Sequence, residues 1–575
     1  MKAYYALLLA SSFSAALPTS GTSDALTLST TAASALGALP YAATSAYTTP
    51  SPTSIGLQPT PTLSGKAEVA ALWASVEAQI PVQTAGITET VSVPVNYSFG
   101  SDPPSYYRRP DTVSLKFPKG FLYGVASAAT QVEGAAKADG RGPSSWDYLC
   151  HTYPSQCNGF APDVTTNNYY LYPLDLARIS HMGANALSFS ISWTRIYPLG
   201  AGEINEPGLT FYDDVIDETI KNGITPLVTL FHWDTPYALL QKYGAFEDTG
   251  AQIVEDFVAY AETVFRRYPG GINVTSAPYQ CTYNILKAHG KVVSLYRELV
   301  ASGDIASGVI GLKNDDNYPV PARPGTDDEE SAERHGDFRI GIFAQPIYGD
   351  GDYPTSVKDT LGTMLPALSA DDKELIKGSA DFFALDGYRT DISRAALNGI
   401  ATCAKNLSDP NWPVCEESAN AYAHSYPDGW AIGQSADPLS SWLVNSAPFI
   451  RGQLKNLVAR FPAKEGIYFS EFGWAEPFEY LRTELYQITW DGLRTQYIRG
   501  RFSDYLNELL LAIHVDKIDL RGAFAWSYID NFEWGLGLEE HFGMQYVNHS
   551  DPALPRSYKL SAFEFRDFGR AHLQD

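Results

Sequence analysis

Short apolar runs alternate with amphipathic stretches along the chain from about residue 117 onward. GFLYGVASA (120–128), NALSFSISW (185–193), TPLVTLFHW (225–233), GVIGLK (308–313), FFALDGY (382–388), GIYFSEFGW (466–474) and RGAFAWSYI (521–529) have the length and composition of buried strands. Between them, LTFYDDVIDETIKNG (209–223), AQIVEDFVAYAETVFRRY (251–268) and SDYLNELLLAIHVD (503–516) repeat apolar residues at helical spacing, and the first stops at Gly223. Strand followed by helix, sustained to the C-terminus, predicts an α/β chain folded as a (β/α)8 TIM barrel with helices outside. A doubly wound open sheet is the rival, but no G-x-G-x-x-G turn follows the first strand.

These runs supply seven strands where the barrel requires eight. The gap falls at FRRYPGGINVTSAPYQC (265–281). One helical pattern ends there at Tyr268 and the next begins at Tyr283, with Pro269, Gly270 and Gly271 between them and no apolar run. The barrel is therefore expected to be missing or disrupted at strand four, with unpaired edges beside the gap.

Ahead of the barrel the pattern changes. MKAYYALLLASSFSAALP has the charged start, short apolar core and small residues of a secretory signal, assigned to residues 1–17. Residues 18–65 are rich in Ser, Thr, Ala and Pro and read as an extended linker. Residues 66–115 are expected to wrap the barrel, with one short helix in KAEVAALWASVEAQ (66–79); the barrel domain takes 116–575. A secreted, extracellular chain suits the sequons at Asn96, Asn273, Asn406 and Asn548. It also suits two local disulfides, Cys150–Cys157 and Cys403–Cys415, which leave Cys281 over. The net charge of −24 works against nucleic acid and anionic membrane surfaces as partners.

In a barrel of this kind chemistry gathers where the strands end. Those ends carry Gln131 and Glu133; His232, Trp233 and Asp234; Asp386, Tyr388 and Arg389; Glu471; and Trp526, Asp530, Asn531, Glu533 and Trp534. Amide, imidazole, carboxylate and indole groups on one rim can bind the hydroxyls and stack on the apolar face of a sugar. Taken singly, His232, Trp526 and Trp534 read as packing. Glu471, inside an apolar strand, needs either a structural ion partner or a chemical role. Asp147 and Asp530 read as loop-holding residues.

The motifs FPKGFLYGVASAATQVEGA (117–135), GRGPSSWD (140–147), FSISWTRIYPLGAG (189–202), LVTLFHWDTP (227–236) and FAWSYIDNFEWGLG (524–537) together resemble glycoside hydrolase family 1, the β-glucosidase family, over about residues 117–570. The resemblance implies a (β/α)8 barrel that removes terminal non-reducing β-glucosyl units with retention, with no metal and no cofactor. It implies Glu471 as nucleophile and Gln131, His232, Glu533 and Trp534 as holders of the sugar hydroxyls. Trp526 would be the stacking platform, Tyr388 a hydrogen-bond donor to the nucleophile, and Trp474 a wall on the aglycone side.

Retention needs two carboxyl groups about 5–5.5 Å apart. In the family the second belongs to an N-E-P motif ending strand four, the segment absent here, so no acid/base is found. Asn205-Glu206-Pro207 spells the motif in the wrong loop, where Glu206 reads as a solvated or capping residue. An odd Cys281 fits the loss of a block that held its partner. The family arginine on strand two falls on Ser188, and the asparagine after the nucleophile is Phe472. Arg389 is the candidate replacement cation for Glu471. The expected function is a secreted retaining β-glucosidase-like hydrolase of β-glucosides, impaired by the missing acid; the alternative is a non-catalytic sugar-binding protein.

Overall fold

The computed structural model describes residues 65–77, 86–93, 114–268, 273–276, 282–317, 319–417, 432–499 and 505–574. The signal and nearly all of the linker, Asn96 and Cys281 lie outside them. Eight parallel strands close into a barrel: β1 (Leu122–Ala126), β2 (Ala186–Ser190), β3 (Thr225–Phe231), β4 (Asn273–Ser276), β5 (Ile310–Asn314), β6 (Phe382–Asp386), β7 (Ile467–Gly473) and β8 (Leu520–Trp526). Each pairs with its neighbours in sequence, and β8 returns to β1. The seven strands expected from apolar runs are all present.

The eighth corrects the expectation of a missing strand. NVTS forms β4, four residues long, paired with β3 through Leu227–Asn273 and with β5 through Val274–Ile310. The β3–β4 register slips between Thr229 and Phe231, so the strand is present and irregular. Closure removes the two exposed edges a gap would have left. It also places the Asn273 sequon on a strand of the closed sheet.

The helices follow their apolar stripes. On α2 (Glu206–Lys221) Leu209, Phe211, Tyr212, Val215 and Ile216 are buried, and on α3 (Gln252–Arg267) Ile253, Val254, Phe257, Tyr260, Ala261, Val264 and Phe265 are. Helix α3 ends at Tyr268, just before Pro269, which has no amide hydrogen to continue it. Helix α4 (Thr282–Ser302) then packs against α3 across the β4 position. Glu206 is the first residue of α2, following the N-cap Asn205, and is a solvated helix-start residue, 67% exposed and paired with Arg267 at 3.6 Å.

The N-terminal extension docks through the helix Gly65–Ser75. Trp73 is buried, donates its indole N–H to the Arg141 carbonyl at 2.7 Å, and lies under the Lys137 and Arg141 cations. Arg141 in turn holds Asp147 at 2.9 Å, and Asp147 and Ser144 form a capping box. Asp530 likewise accepts from Gly543 N at 2.9 Å and Lys559 at 2.8 Å, so both aspartates are structural as expected. Cys150–Cys157 and Cys403–Cys415 are both bonded, with Cα atoms 5.4 and 5.7 Å apart.

Candidate active site

Glu471 is the fifth residue of β7 and buried. An uncompensated carboxylate there would cost several kcal/mol, and two groups offset it. The Tyr388 hydroxyl donates to Oε2 at 2.7 Å, and the Lys313 ammonium meets Oε1. Lys313 also lies 3.2 Å from Asp386. Burial alone would lower the Lys313 pKa, but the Asp386 and Glu471 carboxylates outweigh it and hold the amine above its ordinary value. Asp386 is pushed well up, by burial first and then by the Glu471 charge, with Lys313 opposing. Gly473 makes the crowding tolerable: a Cβ there would lie 2.2 Å from the Trp526 carbonyl and 3.2 Å from the Tyr388 ring.

Lys313 corrects the assignment of Arg389. That guanidinium pairs with Asp391 at 3.0 Å and stacks over Trp442, while the cation on Glu471 comes from β5. The sequence signal was present in GVIGLK, where a lysine closes an apolar run, but it reads there as the end of a strand rather than part of a site.

The expected sugar-binding residues assemble beside this pair. Gln131 is buried, and its amide donates to Asn531 Oδ1 (3.2 Å), the Phe532 carbonyl (3.0 Å) and Glu533 Oε2 (3.4 Å). Glu533 Oε2 also accepts from the Trp526 indole at 3.3 Å. His232 lies nearly parallel to Trp526 and Trp534, with ring centres 6.4 and 5.8 Å away, and Trp146 and Trp233 close on Trp534 at 4.7 and 4.9 Å. Burial, with a smaller push from Lys313, holds His232 neutral. Burial, partly opposed by the Trp526 bond and reinforced by Glu471, lifts Glu533 to about 8. The Glu471 charge thus reaches Glu533, and the Lys313 charge reaches His232.

Trp474 stands apart. It is buried with its ring stacked on Tyr497 at 5.1 Å, and its carbonyl accepts from Arg494 Nε at 2.8 Å. This is core packing behind the end of β7 and corrects its placement as a wall of the aglycone side. An enclosed cavity of about 30 Å³ behind β1 and β2, lined by Leu187, Phe189 and Tyr212 among others, has room for a water and not for a sugar. Among the described residues, Glu479, Asp530 and His541 have metal-ligand spacing. Arg494 (3.2 Å from Glu479) and Lys559 (2.8 Å from Asp530) already supply the cations of that cluster.

A barrel rim carrying a paired buried carboxylate inside a collar of amide, imidazole and indole groups defines a glycoside-processing site. The chain belongs to glycosyl hydrolase family 1, whose model matches residues 113–275 and 267–572, two segments that meet across β4. It is 33% identical over 478 residues to Beta-glucosidase 6 of Oryza sativa subsp. japonica, covering 76% of this chain and 87% of the relative. To Beta-glucosidase 1B of Phanerodontia chrysosporium it is 32% identical over 472 residues, covering 76% and 82%. Among solved structures, a β-glucosidase of this family from the fungus Humicola insolens, in complex with glucose, superposes with a TM-score of 0.72 at 30% identity, covering 80% of this chain and all of that one. The chain is thus a β-glucosidase-like glycoside hydrolase by family and fold.

Proposed function

We infer that this protein hydrolyses terminal non-reducing β-D-glucosyl residues with retention, through attack of Glu471 on the anomeric carbon, and that it works outside the cell. The observation that carries the reading is Glu471 itself, held by Tyr388 and Lys313 beside the Gln131–Trp526–Glu533 network. The two formed disulfides support an oxidising compartment. The names of these three relatives, each a β-glucosidase, support the glucoside class.

Strand four does not supply the acid that speeds glycosylation in the family. The family places its second carboxyl at the end of strand four, and here no Asp or Glu occurs between Glu262 and Glu298. Loss of a well-placed acid costs about 10²–10⁴-fold, most on substrates with poor leaving groups. That same observation favours the second reading, a sugar-binding protein without turnover. A dinitrophenyl 2-fluoroglucoside separates the two, because its leaving group needs no acid. Covalent mass at Glu471, lost in Glu471→Gln, is the expected result. Saturable glucoside binding with no label establishes the binding protein instead.

A further inference from the structure

We propose that Asp315, two residues beyond Lys313 at the mouth of β5, is the proton donor and acceptor that partners Glu471. The inference rests on the hydrolase reading above and supplies the group that reading lacks.

The topology supports it. Strand β5 is the neighbour of β4 in the ring, so its end lies next to the place where the family presents its acid. Side chains along a strand alternate, and residues two apart share a face. Lys313 points inward, since its amine meets Asp386 and Glu471. Asp315 continues that face one step nearer the mouth. The register sets its height. Asn314 is opposite Leu385; the β6–β7 register slips after Leu385, and Asp386, the next residue on β6, is opposite Glu471. Asp315, Asp386 and Glu471 therefore share one level on β5, β6 and β7. Strands lie about 4.8 Å apart, so two steps put the Cα atoms of Asp315 and Glu471 about 9–10 Å apart along the wall. Side chains directed inward across a curved wall converge, toward the about 5–5.5 Å of a retaining pair.

The environment agrees with the geometry. Asp315 is half-buried at the rim, and burial, then Asp316, then Glu471 raise it to about 7, against the pull of Lys313 and Arg389. A carboxyl raised this far above its ordinary value can hold a proton for the leaving oxygen and ionise afterwards. The charges around it are Lys313 and Asp316 on its own segment, Asp386 and Arg389 from β6 and the turn beyond, and Glu471 from β7. Its neighbour Asp316 shows the opposite setting. Burial would raise Asp316, but Arg339 at 3.6 Å and His335 at 4.0 Å draw it down to about 2. Adjacent carboxyls driven apart in this way are a mark of divided acid–base labour. Of the other buried carboxyls raised chiefly by burial, Asp386 already pairs with Lys313 and Glu533 with Trp526, while Asp234 and Glu540 sit among other charges, Arg141 and Glu133 at the first, Asp437 and Glu533 at the second.

In the first step Glu471 forms a bond to the anomeric carbon. The glycosidic C–O bond breaks with its electron pair on the leaving oxygen, and that oxygen takes the Asp315 proton and departs as an alcohol. In the second, the Asp315 carboxylate accepts a proton from water while the water oxygen bonds to the anomeric carbon, and Glu471 leaves as carboxylate.

The test uses the full chain with Asp315→Ala and Asp315→Asn. Labelling of Glu471 by the dinitrophenyl 2-fluoroglucoside should persist in both variants, which also shows that they fold. Hydrolysis of cellobiose should fall about 10²–10⁴-fold relative to the wild type, while a dinitrophenyl glucoside loses far less in its glycosylation step. Azide should restore turnover of the dinitrophenyl glucoside in Asp315→Ala and yield β-glucosyl azide. The basic limb of the kcat/KM profile, near pH 7 in the wild type, should vanish in Asp315→Asn. Labelled variants with unchanged cellobiose hydrolysis, or with no azide product, overturn the role of Asp315 alone. Failure to label Glu471 in the wild type defeats the hydrolase reading, and the role of Asp315 falls with it.

Discussion

Two arcs of the barrel mouth have been treated differently. The rim from β6 through β7 and β8 to β1, joined by His232 from the end of β3, keeps a closely bonded set: Tyr388 on Glu471, Gln131 and Trp526 on Glu533, His232 alongside the tryptophans. The arc at β4 and β5 is rebuilt. Its fourth strand is four residues long and has no carboxyl group, and its fifth contributes a buried lysine that reaches across to the nucleophile. The contrast shows that a buried carboxylate demands a compensating charge and is indifferent to the strand that supplies it. Position 188 on β2, where the family has arginine, is serine; the cation now comes from β5.

The strongest way to break that comparison is Lys313→Met. It leaves Asp386 and Glu471 facing each other without their cation, so the pair should share a proton and the nucleophile should lose much of its anionic form. Labelling of Glu471 at neutral pH should slow about 10²–10³-fold, with about 3–5 kcal/mol lost from stability in urea unfolding. An unchanged labelling rate would show that another group charges the site. Tyr388→Phe probes the bonded rim more gently. Losing one hydrogen bond to a carboxylate, about 1.5–3 kcal/mol, should cut labelling about 10–100-fold.

A third measurement concerns the flank of β5. Burial would lower the His335 pKa, but Glu416 at 2.7 Å and Asp316 raise it to about 9 from 6.5. Because the folded value is the higher one, this contribution is complete below about pH 6.5 and is lost as pH rises through about 9. Urea midpoints should decline over that window in the wild type and stay flat in His335→Gln. The smallest effect is expected from Glu206→Gln in the misplaced N-E-P, where labelling and hydrolysis should stay within about twofold, as for an exposed pair. A larger drop would move the missing acid to the β2 loop.

Much of this was legible in the chain. Seven strands announced themselves as apolar runs, and Gln131, His232, Tyr388, Glu471, Trp526, Glu533 and Trp534 stand together as the resemblance implied. Strand β4 was not legible because NVTS is short and polar; its strand character comes from β3 and β5 on either side. Lys313 was not legible because its partners lie 73 and 158 residues further on, and only closure of the ring brings them to it. Arg389 misled through adjacency: it follows Tyr388 in sequence but turns to Asp391. Trp474 misled in the same way, one residue beyond β7 and already facing Tyr497.

The docked tryptophan of the N-terminal helix has a consequence for processing. Trp73 is pinned to the Arg141 backbone, Arg141 grips Asp147, and the neighbouring Trp146 rests on Trp534 beside His232. A protease that clips the chain before Gly65 leaves this relay intact. One that cuts after Val76 releases the peg, and slack should travel along the relay to Trp534 and His232. The docked helix is therefore a tether, and its release should loosen that ring stack.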